Sequence, residues 1–233
     1  MKVASKKEQV RAMFDDISPK YDLLNHLLSF GIDFSWRRKL VRLLLAGNPR
    51  SVLDVATGTA DLAIAIAKAG VGAVTGVDIS EKMLAIGRIK TAGQDISGSI
   101  ALQVADAAAL PFADNTFDAV TVAFGVRNFE DLRAGLTEMK RVLRPGGTLL
   151  ILEFSHPATF PMKQLYGFYS RRIIPAIGQL VSGNAEAYRY LPESVRAFPS
   201  GDDFLKILAT IGMNNARCHS LTAGISSIYQ AEK

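Results

Sequence analysis

The chain has 233 residues, 48% of them hydrophobic, with a single cysteine and a formal net charge of +5. That length lets one domain bury about 70% of the unfolded surface without a staple, and the lone Cys218 excludes an internal disulfide or a cysteine-rich zinc site. The excess charge is local: residues 1–50 carry ten Lys and Arg against five Asp and Glu, and the remainder is balanced.

Met1 to Glu8 has no apolar run for a signal peptide, and nowhere do 18 consecutive apolar residues occur, so a soluble, cytoplasmic protein is the expectation. Residues 1–50 read as a helical cap. Phe34 and Trp36 beside Arg37, Arg38, Lys39 and Arg42 suit an anionic membrane surface. Without interleaving of aromatic and basic residues, nucleic acid is not an expected partner. His26, His156 and His219 have no metal-ligand spacing, and no metal is expected.

Val52 to Val55 reads as a buried strand, Ala56 to Asp61 as a tight turn of small residues, and Leu62 to Ala69 as a helix. A second strand, Val74 to Val77, ends at Asp78, 20 residues after Gly58, where a carboxylate can bind both hydroxyls of a ribose. The turn has an A-x-G-x-A spacing with only one glycine, unlike the G-x-G-x-x-G that binds a dinucleotide. Asp54 adds negative charge at the strand end, which suits a cation such as S-adenosylmethionine, with its sulfonium and ammonium.

Further strands are expected at Leu102 to Val104, Ala119 to Val122 and Thr148 to Glu153, with helices at Glu81 to Thr91, capped by Ser80, and Leu132 to Leu143. The alternation specifies a parallel sheet with helices on both faces. Thr59, Asp78, Asp106 and the Phe124 to Asn128 loop then converge beyond the carboxyl ends of its strands. Residues 157–200, with prolines at 157, 161, 175, 192 and 199, read as irregular. Their aromatics Phe160, Tyr166, Phe168, Tyr169, Tyr188, Tyr190 and Phe198 suggest a lid over an apolar substrate. Asp202 to Ile211 reads as a helix, and Ala216 to Ser220 and Ile225 to Gln230 as a closing hairpin through Thr222 to Gly224.

Tyr21-Asp22-Leu23-Leu24-Asn25-His26-Leu27-Leu28-Ser29, followed by Asp33 and Trp36, closely resembles the N-terminal signature of the ubiquinone/menaquinone C-methyltransferase family. Arg141 to Ser155, with its Arg-Pro-Gly-Gly turn and Glu-x-Ser ending, resembles that family's second signature, and Asp106 to Phe112 and Phe124 to Asn128 match as well. The resemblance covers essentially the whole chain. It implies a single Rossmann-like class I S-adenosylmethionine-dependent methyltransferase domain. Its sheet would be seven-stranded and mostly parallel, with helices on both faces and a C-terminal antiparallel hairpin. The segments are a cap (1–50), a cofactor core (51–155), a substrate lid (156–200) and a terminal helix and hairpin (201–233).

The resemblance implies C-methylation of demethylmenaquinol to menaquinol, at the inner face of the cell membrane. A dual role on the ubiquinone precursor and a non-catalytic quinone- or cofactor-binding subunit are the alternatives, and a homo-oligomer is left open. It implies that Thr59 and Asp78 bind the cofactor, Asp78 at the ribose, while Asp106 and Ala107 flank the adenine. Gly58, Asp54 and Ala123 complete the expected cofactor site, with Ala123 standing where some members have a serine. Arg127 and Asn128 are the first candidates to hold the quinol oxygen. Arginine keeps its proton too tightly to be a direct base, so Arg127 would stabilise a developing phenolate or organise a water. Asp106 and Tyr21 complete the catalytic set, with Asn25 beside Tyr21. Gly146 and Gly147 read as a structural turn between a helix end and a strand.

Overall fold

The computed structural model describes residues 5–157, 160–169, 172 and 185–233. Pro175 and the side chain of Tyr188 lie outside the described residues.

Seven strands form one sheet: β1 (Ser51–Val55), β2 (Ala73–Asp78), β3 (Ile100–Val104), β4 (Phe117–Ala123), β5 (Leu143–Phe154), β6 (Asn214–Leu221) and β7 (Ser226–Glu232), in the order β3-β2-β1-β4-β5-β7-β6. The first five run parallel, while β7 inserts antiparallel between β5 and β6. This is the mostly parallel, Rossmann-like seven-stranded sheet with a closing antiparallel hairpin, as expected. Strand order reverses between β1 and β4, which opens a crevice at their carboxyl ends.

Three helices lead into the sheet: α1 (Lys6–Ile17), α2 (Tyr21–Leu28) and α3 (Ile32–Leu45). A capping box between Ser5 and Glu8 starts α1. Four follow: α4 (Asp61–Lys68), α5 (Glu81–Thr91), capped by Ser80 through the Met83 amide, α6 (Leu132–Val142), capped by Asp131, and α7 (Met162–Phe168). Then come α8 (Ala185–Ala197) and α9 (Asp202–Thr210). Val52 and Leu150 face Leu40, Leu44, Leu62 and Ile66 of α3 and α4, while Leu53 and Ile151 face Leu136, Met139, Phe204 and Leu208 of α6 and α9. Alternation along each central strand thus feeds two cores.

Three expectations change. Residues 157–200 are not irregular throughout, because α7 and α8 occupy much of their described part: Pro161 stands just before α7, where its missing N–H costs nothing, and Pro192 lies inside α8. Strand β5 starts at Leu143, five residues earlier than Thr148. It loops out over residues 144–147, with Gly146 at φ 76°, before the ladder resumes at Thr148. Trp36 and Arg37 are not surface anchors. Trp36, Leu40 and Leu44 share the inner stripe of α3, and the Trp36 indole N–H donates to Thr222 at 2.8 Å.

Candidate active site

The β1 turn is tight because every second residue is left-handed: Ala56 at φ 53°, Gly58 at 57° and Ala60 at 68°. Two alanines in that region store strain, a feature of functional turns. The turn aims the Gly58 N–H at Asp78 Oδ2 (2.9 Å), and the Ser80 N–H takes Asp78 Oδ1 (2.9 Å). Burial pushes the Asp78 carboxyl up, against these amide bonds, which favour its charged form.

Gly58, Asp78, Ile79, Met83, Asp106, Ala107, Ala123 and Asn128 surround a cavity of about 150 Å³ at the crevice. Helix α1 covers it with Lys7, Val10 and Phe14. Lys7 Nζ donates to Asp106 Oδ2 at 2.8 Å, and Lys6 Nζ donates to the Phe129 carbonyl at 2.6 Å, so two lysines strap the helix across the opening. Burial raises Asp106, but the Lys7 hydrogen bond and charge and the Ala108 amide outweigh it and hold the carboxyl below its ordinary range. Asp78, Asp106, Glu130 and Asp131 line the cavity against Lys7 alone among cationic side chains. That balance fits a cationic nucleoside better than a pyrophosphate.

A second, apolar cavity of about 280 Å³ adjoins the first, and Phe14, Tyr21 and Phe124 line both. Met13, Ile17, Trp36, Phe154, Leu165, Tyr166 and Tyr190 form much of its wall, with Arg127 as a charged member. Phe124 stacks on Phe154 at 4.5 Å between ring centres. Tyr21 makes an edge contact with Phe14 at 5.8 Å and hydrogen-bonds Asn25, and burial pushes its hydroxyl up, so it stays a protonated phenol.

Arg127 and Asn128 sit where the β4 loop places them, on different sides of the shared wall. Arg127 Nη1 donates to Glu153 Oε2 at 2.9 Å and to the Phe124 carbonyl, and Glu153 is fully buried. Burial pushes the Glu153 carboxyl up while the Arg127 charge opposes that shift. Asn128 Nδ2 donates to the Phe124 carbonyl (3.3 Å), and its Oδ1 accepts from the Tyr190 hydroxyl (3.1 Å).

Two expected cofactor residues line neither cavity. The Thr59 hydroxyl donates to Asp22 Oδ1 at 2.6 Å, which ties the turn to α2. Asp54 is buried beneath the turn, where it accepts from the Thr57 (2.6 Å) and Thr121 (2.8 Å) hydroxyls, and burial pushes it up to about 6. Val10, Phe14 and Glu130 escaped the sequence reading as site residues because α1 and the β4 loop reach the crevice only through tertiary packing, whereas Tyr190, expected in the lid, does line the apolar cavity. Glu153 did carry a signal: a carboxylate within the apolar strand Leu149 to Phe154 demands a buried cation.

A family model described as the ubiE/COQ5 methyltransferase family matches residues 2–233. The chain belongs to this family. The methyltransferase is 48% identical over 229 residues to a demethylmenaquinone methyltransferase of Bacteroides fragilis, covering 98% of this chain and 94% of that protein. It is 47% identical over 234 residues to the ubiquinone/menaquinone biosynthesis C-methyltransferase UbiE of Geobacter sulfurreducens, covering 100% and 91%. Among solved structures, an S-adenosylmethionine-dependent methyltransferase from Aquifex aeolicus has a similar fold, with TM-score 0.56 and 19% identity over 78% of this chain and 81% of that one. Phosphoethanolamine N-methyltransferase 2 of Haemonchus contortus, solved with S-adenosylmethionine, gives TM-score 0.60 and 16% identity over 84% and 52%.

Proposed function

We propose that this methyltransferase moves a methyl group from S-adenosylmethionine to a ring carbon of demethylmenaquinol, whose ring hydrogen leaves as a proton, giving menaquinol and S-adenosylhomocysteine. The observation that carries the reading is the pair of adjoining cavities, one acidic at the strand ends and one apolar, which share Phe14, Tyr21 and Phe124. The printed names of the Bacteroides and Geobacter relatives support the quinone class.

Bound in the acidic cavity, S-adenosylmethionine supplies an electrophilic methyl group. Asp78 holds the ribose hydroxyls, and Asp106 and Ala107 flank the adenine, beside Gly58 and Ala123. Thr59 and Asp54 act indirectly, by tethering α2 and stiffening the turn. Arg127 stabilises negative charge on the quinol oxygen, Asn128 fixes the loop through Tyr190, and Tyr21 closes the wall between the reactants. Alignment in a dry site is the larger contribution, worth up to about 7 to 11 kcal/mol, and electrostatic stabilisation by a preorganised arginine adds to it.

In this reading 1–50 is a cap, 51–155 the cofactor core, 156–200 the substrate lid and 201–233 the closing helix and hairpin. The protein works from the cytoplasm at the membrane face. Helix α2 and the turn that follows it support that placement: Asp22, Asn25 and Ser29 are the polar inner side, while Leu23 (61% exposed), Leu27 (44%) and Phe30 (73%) point outward. Exposed Phe34 continues this surface onto α3, ahead of exposed Arg38 and Arg42. Among the described residues no helix is long and apolar enough to cross a membrane.

Mass spectrometry of a short-tailed demethylmenaquinol incubated anaerobically with the protein and S-adenosylmethionine tests the reaction. A single added methyl on the reduced naphthoquinol is expected, and methylation of a ubiquinone precursor in the same mixture would assign the dual role. No product on any quinol would overturn the reading. Sedimentation with anionic and neutral vesicles tests the membrane surface, which fails if both bind alike.

A further inference from the structure

Three residues that line the apolar cavity are also large, apolar and exposed: Phe30 in the turn after α2, Ile32 at the start of α3 and Leu165 of α7. A side chain that meets both a cavity and solvent marks an opening. Two observations place the three at one mouth. The rings of Phe30 and Tyr169 lie 5.9 Å apart, and Tyr169, at the end of α7, lines the same cavity. Met162, Leu165, Tyr166 and Tyr169 follow the helical period, so α7 lays one stripe along the cavity and brings it to the surface at Leu165. Phe168 extends the exposed apolar surface past that point.

Single exposed apolar side chains need no explanation, but a continuous lip around an apolar cavity does. Among the described residues, Thr222 is the other exposed member of the wall, and it also lines a groove with Arg38, Lys39 and Arg42. Hydrocarbon gains nothing by covering that polar face.

We propose that the mouth at Phe30, Ile32 and Leu165 is the exit for the hydrocarbon tail of the substrate: with the ring inside, the first isoprene units lie between the turn after α2 and helix α7. The inference rests on the quinol reading of the apolar cavity and adds the subsite that this reading leaves open. An isoprenoid chain carries no polar group, so its route is set by the apolar area it can cover. Phe30 also belongs to the outward apolar surface proposed to face the membrane, so a ring can enter the cavity while its tail stays in lipid.

Initial rates on naphthoquinols with no, one or two isoprene units, kept reduced under anaerobic conditions, give the first test. In the parent protein kcat/KM should rise about tenfold from the tailless ring to the two-unit tail, the equivalent of roughly two buried methylenes, with KM carrying the change. Phe30→Ser and Leu165→Ser should each cut that preference about threefold, and the double variant should abolish it. All three sites of change are on the surface, where such substitutions leave the fold intact. Ile89→Ser, which removes an exposed apolar side chain of α5 remote from both cavities, should keep the preference. A parent protein indifferent to the tail overturns the exit, as does a double variant that keeps the parent's preference, including one that loses activity equally on every substrate.

Photolabelling reads the route without turnover. With S-adenosylhomocysteine bound, a naphthoquinone whose two-unit tail ends in a diazirine should label peptides holding residues 29–32 or 162–169, and labelling confined to other segments overturns the proposal. Methylation of naphthoquinols with no preference for a tail removes the exit and leaves the proposed function standing. Labelling at the lip without methylation of any quinol does the reverse.

Discussion

Arg127 Nη1 meets Glu153 Oε2 at 2.9 Å in the interior, with no solvent access to the carboxylate and the arginine on the wall of the apolar cavity. Glu153→Gln would leave the arginine charge buried without its counterion, at a cost of about 3 to 5 kcal/mol. A urea melt of the variant should show that loss at unchanged m-value. Replacing both residues, as in Arg127→Met/Glu153→Leu, should recover most of it, and a double variant less stable than Glu153→Gln alone would refute this account of the pair.

Asp54 predicts a pH dependence with a defined sign. Burial raises its carboxyl from 3.8 to about 6, so the folded state holds this proton more tightly than the unfolded chain. The contribution of this site to stability is therefore full below about pH 4 and is lost as pH rises through about 6. Asp54→Asn should gain stability relative to the parent protein across that interval, by up to roughly 3 kcal/mol. Parallel melts between pH 4 and pH 7 would show the two curves diverging, whereas a constant offset would contradict the assignment.

Gly125 lies where the β4 loop passes the β1 turn, and a Cβ placed there would stand 2.6 Å from Ala56 Cβ and 2.9 Å from Val122 Cγ1. Gly125→Ala should cost about 1 to 3 kcal/mol by overpacking. Because the displaced loop carries Arg127 and Asn128, turnover should fall further than the melting temperature suggests, when assayed at a temperature where the variant is fully folded. Parent-like turnover under those conditions would separate this contact from the site.

Lys7 and Asp106 form a largely exposed pair across the mouth of the acidic cavity. Lys7→Ala should change stability by no more than about 1 kcal/mol, yet free α1 from one of its two straps. Stopped-flow displacement of bound S-adenosylhomocysteine should then be several-fold faster, and an unchanged dissociation rate would show that α1 does not limit cofactor exchange.

The strands were legible because apolar runs such as Val52 to Val55 and Leu149 to Leu152 carry their burial in their composition, and Asp78 was legible because it ends such a run. The partner of Thr59 was not: Asp22 lies 37 residues earlier, and nothing at either position announces the 2.6 Å contact between them. Trp36 beside Arg37, Arg38 and Lys39 looks like an interfacial anchor when read in line. The helical period instead turns Trp36 and Arg37 inward and Phe34, Arg38 and Arg42 outward. The prolines of residues 157–200 suggested broken chain, but Pro161 lies ahead of α7, where a missing donor is harmless, and α8 accommodates Pro192. Helix α1 presented no site motif, since Val10 and Phe14 acquire meaning only once the helix lies across the crevice.

Phe14, Tyr21 and Phe124 are a party wall, and a wall with a tenant on each side cannot be shaped by one of them alone. To the extent that one occupant sets those three rings in the arrangement the other needs, it changes the other's affinity, and reciprocity requires the two affinities to change by the same factor. Order of addition can therefore alter the kinetics of filling the two chambers, while the product of affinities around the four-state cycle stays the same.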